Sequence, residues 1–332
     1  MNIESIKNNS ELFRFLSNFY GDNIEAFLDC VIKKPKSAIR VNTLKANKDT
    51  IIERLLKQGF KLKEVAFYEY AFVVEESPVE LGNTVEHFMG YYYVQSLSSL
   101  IPPLVLAPQP GEVVLDIASA PGSKTTQMAQ MMENRGVIVA NDVDIKRVKA
   151  LANNIDRMGV LNTIITIEQG HKFGKLFPET FDKILVDAPC SALGTLGKNP
   201  EVVKWWSREK IGRLMATQKS LILSGFDALK PGGIMVYSTC TVTPEENEYI
   251  VNYLLQEREG VEILDFHLSG VKLSSGLTEW ERLVFKKELV NCKRIEPHLN
   301  PGFEGFFIAL IRKSPSRYEG FNGVHYRKDH RL

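Results

Sequence analysis

The sequence has few of the features that mark secreted, metal-binding or membrane proteins. Its 332 residues include only 4 cysteines, without the Cys-x-x-Cys spacing of a structural zinc site or the density of a disulfide framework. No apolar run reaches the roughly 20 residues of a membrane span. The amino terminus carries Glu4 where a secretory signal carries positive charge. We therefore expect a cytoplasmic protein with reduced thiols, no bound metal and no membrane partner.

A strong net charge is also missing. Lysine and arginine number 41 and aspartate and glutamate number 40, which gives a formal charge of +1. This balance does not favour a globally basic nucleic-acid-binding protein, so any contact with a polyanion must depend on local basic segments. The length and the 44% hydrophobic content suit about two globular domains with a substantial core. We expect the chain to act as a monomer.

Short strand-like and helical patterns alternate within the first 90 residues. Residues 33–48 contain six lysines and arginines and no acidic residue, and they include the strand-like run Ala38-Ile39-Arg40-Val41-Asn42. A helical pattern from Thr50 to Phe60 and an aromatic, strand-like run over residues 66–74 follow. We interpret residues 1–90 as a small α+β, RRM-like RNA-binding module. Its basic segment is either a solvated surface or a phosphate-contacting one.

Strands and helices alternate from Val113 onward, which is typical of a doubly wound parallel sheet. The first strand ends at Asp116, and a loop of small residues, 118–124, leads into a helix. Small residues let backbone amides approach a ligand, and the helix directs its positive end toward it. The loop lacks the Gly-x-Gly-x-x-Gly and Gly-x-x-x-x-Gly-Lys-Ser/Thr spacings, which disfavours a nicotinamide cofactor and ATP. Asp142, after the second strand, either accepts from ribose hydroxyls or caps the next helix.

Two cysteines follow the two strands of a strand–helix–strand unit, residues 181–240. One apolar run leads to Asp187-Ala188-Pro189-Cys190, the other leads to Ser238-Thr239-Cys240, and a crossover helix is predicted over residues 208–230. Because such strands end at the same edge of a sheet, both thiols are predicted to share a pocket. The alternative is that each cysteine is a small buried hydrophobic residue. Residues 191–200 are predicted to form a mobile flap over the pocket.

Taken together, these motifs resemble the Nop/Sun family of S-adenosylmethionine-dependent RNA cytosine-5 methyltransferases. The similarity extends from Arg40-Val41-Asn42-Thr43-Leu44 to Gly305-Phe306-Phe307-Ile308-Ala309. Its most specific parts are residues 120–124, 187–191 and 238–241, the last followed by Pro244-Glu245-Glu246-Asn247-Glu248. The resemblance implies a class I methyltransferase, with a Rossmann-like seven-stranded α/β sheet over residues 91–313. It also implies methylation of carbon 5 of cytidine in rRNA or tRNA.

The resemblance further implies roles for individual residues. Cys240 is the nucleophile, Cys190 helps to release the product, and Asp187 faces the target base; Lys124 is counted with these catalytic candidates. The predicted cofactor-binding residues are Ala118, Ser119, Ala120, Pro121, Gly122, Ser123, Lys124, Asp142, Arg147, Gln169 and Asp187. Gln169 departs from the aspartate that is usual in the family, although its side-chain oxygen can still accept from an adenine amino group.

The reaction explains why thiols and a carboxyl group are needed. Carbon 5 of cytosine becomes nucleophilic after a thiolate adds to carbon 6, and a carboxyl group at nitrogen 3 stabilises the displaced charge. A free thiol has a pKa of about 8.5, so Cys240 needs help to ionise. The capping-box pattern Thr243-Pro244-Glu245-Glu246 predicts a helix whose positive end favours the thiolate, while its glutamates oppose this effect.

Several alternatives remain open at this point. The two cysteines can exchange roles, since DNA cytosine methyltransferases use a Pro-Cys thiol as the nucleophile. An amino-group nucleic-acid methyltransferase needs no thiol, and an inactive RNA-binding assembly factor needs no methyl transfer. Arg294 and His298 are predicted RNA contacts. The basic tail, residues 314–332, either contacts phosphate or forms a disordered end.

Overall fold

Three helices precede the first strand of the protein. The computed structural model describes residues 3–33 and 35–315, so the predicted tail lies outside the described residues from residue 316 onward. The helices are α1 (Ile3–Asn8), α2 (Ser10–Tyr20) and α3 (Ile24–Ile32). Asn9 caps α2, because its side chain accepts a hydrogen bond from the Leu12 amide at 3.0 Å. The buried faces of these helices form one hydrophobic cluster with residues of the second domain.

A four-stranded antiparallel sheet forms the N-terminal module. Its elements are β1 (Ala38–Val41), α4 (Lys48–Lys57), β2 (Lys61–Glu64), β3 (Ala71–Glu76), α5 (Val85–Phe88) and β4 (Tyr92–Val94). The strand order is β2-β3-β1-β4. Ile39 and Val41 are buried in a cluster with Ile51 and Leu55 of α4. Because side chains alternate along a strand, Arg40 points to the opposite face of the sheet, toward the second domain.

The second domain is an α/β sheet with helices on its faces. Its helices are α6 (Ile101–Leu106), α7 (Ser123–Met131), α8 (Ile145–Met158), α9 (Phe173–Leu176), α10 (Val202–Trp205), α11 (Arg208–Ala228) and α12 (Glu248–Glu257). Its strands are β5 (Val113–Asp116), β6 (Val137–Asn141), β7 (Thr163–Thr166), β8 (Phe181–Asp187), β9 (Leu229–Thr239), β10 (Val261–Leu264), β11 (Leu273–Ser275), β12 (Glu279–Trp280), β13 (Leu283–Val284), β14 (Lys293–Ile295) and β15 (Phe306–Lys313).

The order of the strands confirms the predicted class I methyltransferase architecture. The sheet runs β11-β14-β15-β9-β8-β5-β6-β7, and β10 also pairs with β15. The strands from β9 to β7 are parallel, whereas β15 is antiparallel to β9. Seven strands therefore form the predicted core of the sheet. The short strands β11 and β14 extend it through a region in which the sequence showed no strand pattern.

The parallel strands end at one edge of the sheet. Strand β5 ends at Asp116, β6 at Asn141 and β8 at Asp187, and all three are neighbours in the sheet. The crossover helix α11 follows its predicted bounds closely and buries Ile222 and Phe226 against the sheet. This arrangement gathers the loops that follow β5, β6, β8 and β9, and open α/β sheets bind their ligands at this edge.

The N-terminal helices cover the segment that follows Cys190. Leu193 and Leu196 are fully buried against α2 and α3. Trp206 is also buried, and its ring centroid lies 5.2 Å from that of Phe15 in α2. The predicted mobile flap is therefore wrong for this part of the chain. Its turn-forming composition indicated a free loop, whereas its two leucines and the distant helices hold it in a hydrophobic cluster.

Candidate active site

A cavity of about 600 Å³ opens at the carboxyl edge of the parallel strands. The predicted site residues that line it are Ala118, Ala120, Asp142, Arg147, Gln169, Asp187, Cys190 and Cys240. They come from five different strand ends, so the sheet brings together residues that lie as far apart as positions 118 and 240. A cavity of this size with a few convergent polar groups is typical of a small-molecule or cofactor site.

The two cysteines meet inside this cavity. Their sulfur atoms lie 3.4 Å apart. A hydrogen bond from the Ala188 amide to the Ser238 carbonyl, 2.9 Å long, extends the pairing of β8 and β9 past the end of β8 and fixes this approach. The hydrogen bond to Cys240, followed by burial, raises the pKa of Cys190 well above its ordinary value. The protonated form of Cys190 is therefore favoured, and its sulfur lies within hydrogen-bonding distance of the sulfur of Cys240.

Glu246 is a buried carboxylate behind Cys190. It accepts hydrogen bonds from the Ser191 amide at 2.8 Å and from the Gln218 side chain at 3.0 Å. Burial raises the pKa of Glu246, although these donors oppose the shift. The negative charge of Glu246 contributes to the high pKa of the Cys190 thiol. Glu246 therefore both positions the backbone beside Cys190 and disfavours a second negative charge there.

The helix after Cys240 begins later than the capping-box pattern predicts. Helix α12 starts at Glu248, and residues 244–247 form turns. The helix end therefore lies farther along the chain from Cys240 than the pattern predicted, and because its field falls off within about one turn, its effect on the thiol stays open. Glu246 points inward to the Ser191 amide instead of starting a solvent-facing first turn.

Asp187 is held by two donors. The Lys124 ammonium donates to its Oδ2 at 2.7 Å, and the Ser238 hydroxyl donates to its Oδ1 at 2.8 Å. Burial alone would lower the pKa of Lys124, but the Asp187 carboxylate raises it above its ordinary value, and Cys240 adds to this increase. A positive charge therefore lies beside the carboxylate and interacts electrostatically with Cys240. The two cysteines thus differ in their surroundings, with Lys124 near Cys240 and Glu246 near Cys190.

The predicted ribose ligand Asp142 is buried beside the small-residue loop. Its Oδ2 accepts a hydrogen bond from the Ala120 amide at 3.2 Å and lies 3.3 Å from the Arg147 guanidinium. Helix α8 is capped by Asp144, whose side chain accepts from two amides of the first turn. Asp142 is therefore not required as the cap, and its carboxylate remains directed to the cavity.

The second half of the small-residue loop does not line the cavity. The Ser119 hydroxyl donates to the Asn141 carbonyl, and Gly122, with a φ of 104°, turns the chain into α7. The carbonyl oxygens of Pro121 and Ser123 accept hydrogen bonds from side chains of α8 and β1. Ser119, Pro121, Gly122 and Ser123 do not line the cavity, and their predicted contacts with a cofactor stay predictions. Lys124 reaches the cavity only through Asp187.

Several lining residues had no predicted role. Val143 is 66% exposed although it is apolar, and it lines the cavity next to Asp142. Ile117 and Leu221 add apolar surface, and His171 adds a ring. The volume, the apolar surface and the Asp142 carboxylate fit an adenosine-type cofactor with a ribose and an adenine. Val143 was detectable in principle, because it directly follows the acidic residue after β6.

The family of the chain follows from comparisons with known proteins. Residues 103–312 match the family described as 16S rRNA methyltransferase RsmB/F, and residues 10–97 match the N-terminal domain of 16S rRNA methyltransferase RsmF. The chain belongs to the RsmB/F methyltransferase family. The predicted Nop/Sun family, the methyltransferase class and the S-adenosylmethionine cofactor are thereby confirmed.

Relatives of this RsmB/F family chain occur in archaea and bacteria. A tRNA (cytosine(49)-C(5))-methyltransferase from Pyrococcus abyssi is 42% identical over 297 residues, which are 88% of this chain and 93% of that protein. The ribosomal RNA small subunit methyltransferase F of Vibrio campbellii is 41% identical, and the match covers 88% of this chain and 60% of that protein. The chain therefore spans about 60% of the length of this bacterial relative.

Solved structures agree with this assignment of the fold. The crystal structure of a methyltransferase homologue from Pyrococcus horikoshii is 35% identical in sequence and superposes with a TM-score of 0.81. The match covers 94% of this chain and 100% of that one. The RsmB/F family chain therefore shares both of its described domains with a known methyltransferase homologue.

One predicted RNA contact of the RsmB/F family chain is wrong. Arg294 is 2% exposed, and its Nε donates to Glu248 at 2.7 Å. The ion pair lies inside the domain, because β14 places Arg294 against α12. His298 is partly exposed, and its ring centroid lies 5.6 Å from that of Tyr20.

Within residues 3–33 and 35–315, no group of histidine, cysteine, aspartate and glutamate side chains is arranged to hold a metal ion. No helix in the same part of the chain combines the length and apolarity needed to cross a membrane.

Proposed function

We propose that this protein methylates carbon 5 of cytidine in RNA, with Cys240 as the nucleophile and S-adenosylmethionine as the methyl donor. The observation that carries the proposal is the 3.4 Å approach of the Cys190 and Cys240 sulfur atoms in the cavity that Asp187 also lines. An amino-group methyltransferase has no use for two thiols in its site. A cytosine-5 methyltransferase uses one thiol to attack and a second group to remove a proton.

The nucleophile is assigned from the charges around the two thiols. The pKa of the Lys124 ammonium is raised by Asp187 and further by Cys240, so Lys124 provides a positive charge that favours an anionic sulfur at Cys240. The pKa of Cys190 is raised by Cys240, by burial and by Glu246, so Cys190 stays protonated. Cys240 loses its proton to solvent through the cavity, and the resulting thiolate accepts a hydrogen bond from the S–H of Cys190. This thiolate then adds to carbon 6 of the base and forms the carbon–sulfur bond.

Asp187 and Lys124 receive the charge that this addition displaces. Attack at carbon 6 moves an electron pair toward nitrogen 3, which then takes a proton. The Asp187 carboxylate, 2.7 Å from the Lys124 nitrogen, raises the pKa of Lys124 and so favours its protonated form; Asp187 then relays a proton from the ammonium to nitrogen 3. Ser238 holds the other carboxylate oxygen and keeps the relay oriented. The proton returns by the same path when the ring is restored.

When bound, S-adenosylmethionine would supply an electrophilic methyl group to carbon 5 and would leave as S-adenosylhomocysteine. The residues that would hold it line the cavity: Ala118 and Ala120 on the loop backbone, Asp142 and Arg147 at the ribose, and Gln169 at the adenine. Pro121, Gly122 and Ser123 support these contacts by fixing the start of α7.

Release of the product depends on a change in Cys190. Once the Cys240 sulfur is bonded to carbon 6, it no longer carries negative charge and no longer accepts the Cys190 proton. The largest cause of the high Cys190 pKa is then removed. Cys190 loses its proton to solvent through the cavity and, as a thiolate, takes the proton from carbon 5. The electron pair of that carbon–hydrogen bond forms the ring double bond and expels the Cys240 thiolate.

Substitution of each cysteine tests this assignment. With Cys190→Ser, the carbon 5 proton is not removed and a covalent protein–RNA adduct accumulates, visible as a band of reduced mobility on a denaturing gel. With Cys240→Ser, neither adduct nor methylated RNA forms. Cys292→Ser, which changes a thiol outside the cavity, serves as the matched control. An adduct that accumulates with Cys240→Ser and not with Cys190→Ser would reverse the roles.

The RNA substrate is proposed to be a structured ribosomal or transfer RNA. The named relatives act on tRNA cytosine 49 and on small-subunit ribosomal RNA, which supports both classes and favours a cytoplasmic location. Bisulfite sequencing of both RNA classes from cells with and without the gene identifies the cytidine that loses its methyl group. The chain is proposed to act as a monomer, which size-exclusion chromatography with light scattering checks.

A further inference from the structure

One face of the N-terminal sheet is only partly covered by the methyltransferase domain. Ala38 in β1, Val73 in β3 and Lys63 in β2 form one row across the sheet, because Ala38 pairs with Val73 and Lys63 also pairs with Val73. Ala38 is buried, Val73 is half-buried and Lys63 is exposed. The face is therefore covered at β1 and open at β2.

This open part of the face is one wall of a second cavity, also of about 600 Å³. Phe67 and Phe303 lie in the cavity with ring centroids 5.9 Å apart. Phe303 belongs to the methyltransferase domain, so the cavity is formed jointly by both domains. Two partly exposed aromatic rings beside an open sheet face provide flat surfaces for a planar ring.

Four lysines line the same cavity: Lys33, Lys36, Lys63 and Lys198. Lys36 lies 3.7 Å from Glu75 and Lys198 lies 3.7 Å from Glu304. Within the described chain, no carboxylate lies within 4.0 Å of the ammonium groups of Lys33 and Lys63. These two ammonium groups are therefore available to an anionic group, and phosphate is the anion that accompanies a base in RNA.

The cavity adjoins the active site through Gly194. Gly194 lines the cavity, and its amide donates to the Cys240 carbonyl at 3.0 Å. Its own carbonyl accepts from the Gly305 amide at 2.9 Å. A Cβ atom at Gly194 would lie 2.0 Å from the Gly305 carbonyl oxygen, so the two loops touch at this point. A group bound in the cavity is thus separated from the catalytic cysteine by a single layer of backbone.

We propose that this second cavity binds a single-stranded nucleotide of the RNA substrate that flanks the target cytidine. Its base stacks on Phe67 and Phe303, and its phosphates are held by Lys33 and Lys63. The proposal rests on the proposed function, because a flanking nucleotide has meaning only if a cytidine enters the active site. Since stacking and phosphate contacts do not read base edges, the cavity selects an unpaired, extruded nucleotide and not a particular base.

Binding of a short RNA tests the lysines without any need for catalysis. The probe is a fluorescein-labelled octamer of cytidine, titrated with the full chain and followed by anisotropy at several salt concentrations. The double variant Lys33→Glu, Lys63→Glu should weaken binding by about tenfold, and each lost phosphate contact should reduce the slope of log affinity against log salt by about 0.7. The double variant Lys48→Glu, Lys57→Glu, with both changes on α4 of the same module and outside the cavity, makes the same change of charge and should leave binding unaltered.

A second pair of variants tests the stacking surface. Phe67→Ala should weaken octamer binding by about tenfold with an unchanged salt slope, because stacking contributes no counterion release. The matched control is Phe88→Ala, which removes a phenylalanine that is 79% exposed on α5. Thermal unfolding of each variant verifies that it is folded. Equal affinities of the wild type and both cavity variants would overturn the proposal.

The same variants separate this proposal from the proposed function. On an RNA transcript that the wild type methylates, the lysine double variant should raise KM for RNA, with kcat and KM for S-adenosylmethionine within about twofold of wild type. Weakened octamer binding in the variants together with a wild type that methylates no RNA would contradict the proposed function and keep the cavity as an RNA site. If the lysine double variant of an active enzyme kept a normal KM for RNA and bound the octamer normally, the proposed RNA site in the second cavity would be contradicted and the proposed function would stand.

Discussion

Arg40 of the N-terminal module donates a hydrogen bond to the Thr126 hydroxyl of α7 at 2.8 Å, although the Arg40 side chain is fully buried. It also binds the side-chain oxygens of Gln95 and Gln130. None of the carboxylates in the described residues forms an ion pair with it. Burial lowers the pKa of Arg40 to about 10. Because α7 follows the small-residue loop, one buried polar network joins the N-terminal module to the edge of the sheet where the first cavity opens.

Replacing Arg40 by leucine should destabilise the protein by about 1 to 3 kcal/mol, because Thr126, Gln95 and Gln130 lose a buried partner. Urea unfolding followed by circular dichroism measures the change. Arg135→Leu, which removes an exposed arginine paired with Glu133, is the control and should have little effect. Equal urea midpoints for the two variants would show that the buried network does not stabilise the fold.

Replacing Lys124 by methionine should lower the rate of methyl transfer by a factor of about 10² to 10⁴, because the proton relayed by Asp187 is lost. Affinity for S-adenosylmethionine should change little, since the Lys124 side chain contacts Asp187 and not the cofactor cavity. Single-turnover kinetics and calorimetric titration of the cofactor measure the two effects. Lys172→Met removes the charge of an exposed lysine on the same domain and is the control for loss of a positive charge. A normal single-turnover rate would exclude Lys124 as the proton source.

Asp116 should make stability depend on pH. Burial raises its pKa to about 7, although the Thr125 hydroxyl donates to it at 2.7 Å. The unfolded chain has a value of about 3.9, so the folded state binds the proton more tightly. The stability that the proton on Asp116 contributes to the folded state is complete below about pH 4 and is lost as the pH rises through 7. Across this pH range the free energy of unfolding should fall by an amount on the order of a few kcal/mol.

The variant Asp116→Asn has no proton to lose at this position, so its stability should decline less than that of the wild type between pH 5 and pH 8. Urea midpoints at both values measure the decline. Asp156→Asn changes an exposed residue on α8, and its urea midpoint should decline as much as that of the wild type. If Asp116→Asn also follows the wild type, the carboxyl group is ionised throughout and the argument from burial fails.

Replacing Arg294 by leucine should cost about 3 to 5 kcal/mol, because Glu248 is left charged and buried without its partner. Arg312→Leu breaks an exposed pair with Glu262 and should cost at most about 1 kcal/mol. Chemical denaturation compares the two. The affinity of folded Arg294→Leu for the RNA octamer should equal that of the wild type, and a specific loss of RNA affinity would restore Arg294 as an RNA contact.

The architecture of the methyltransferase domain and most of the residues that line its first cavity could be predicted from local sequence patterns. Apolar runs that end in Asp116, Asp187 and Thr239 mark buried parallel strands, and parallel strands must end at one edge. The residues that follow them, Cys190 and Cys240, therefore had to be neighbours. This inference needs only the period of the strands and the length of the crossover, both of which are local properties of the chain.

The charged groups that lie near Cys190 and near Cys240 could be identified only from the tertiary structure. Glu246 lies six residues from Cys240 in sequence but beside Cys190 in space, whereas Lys124 reaches Asp187 from another strand end. The burial of Arg294 and of the loop after Cys190 also depends on distant partners, Glu248 and the N-terminal helices. Local patterns report whether a side chain suits a helix, a strand or a turn. Such patterns do not show which side chain from a distant part of the sequence will pack against a given residue. The energy of a buried charge depends on the side chain that pairs with it.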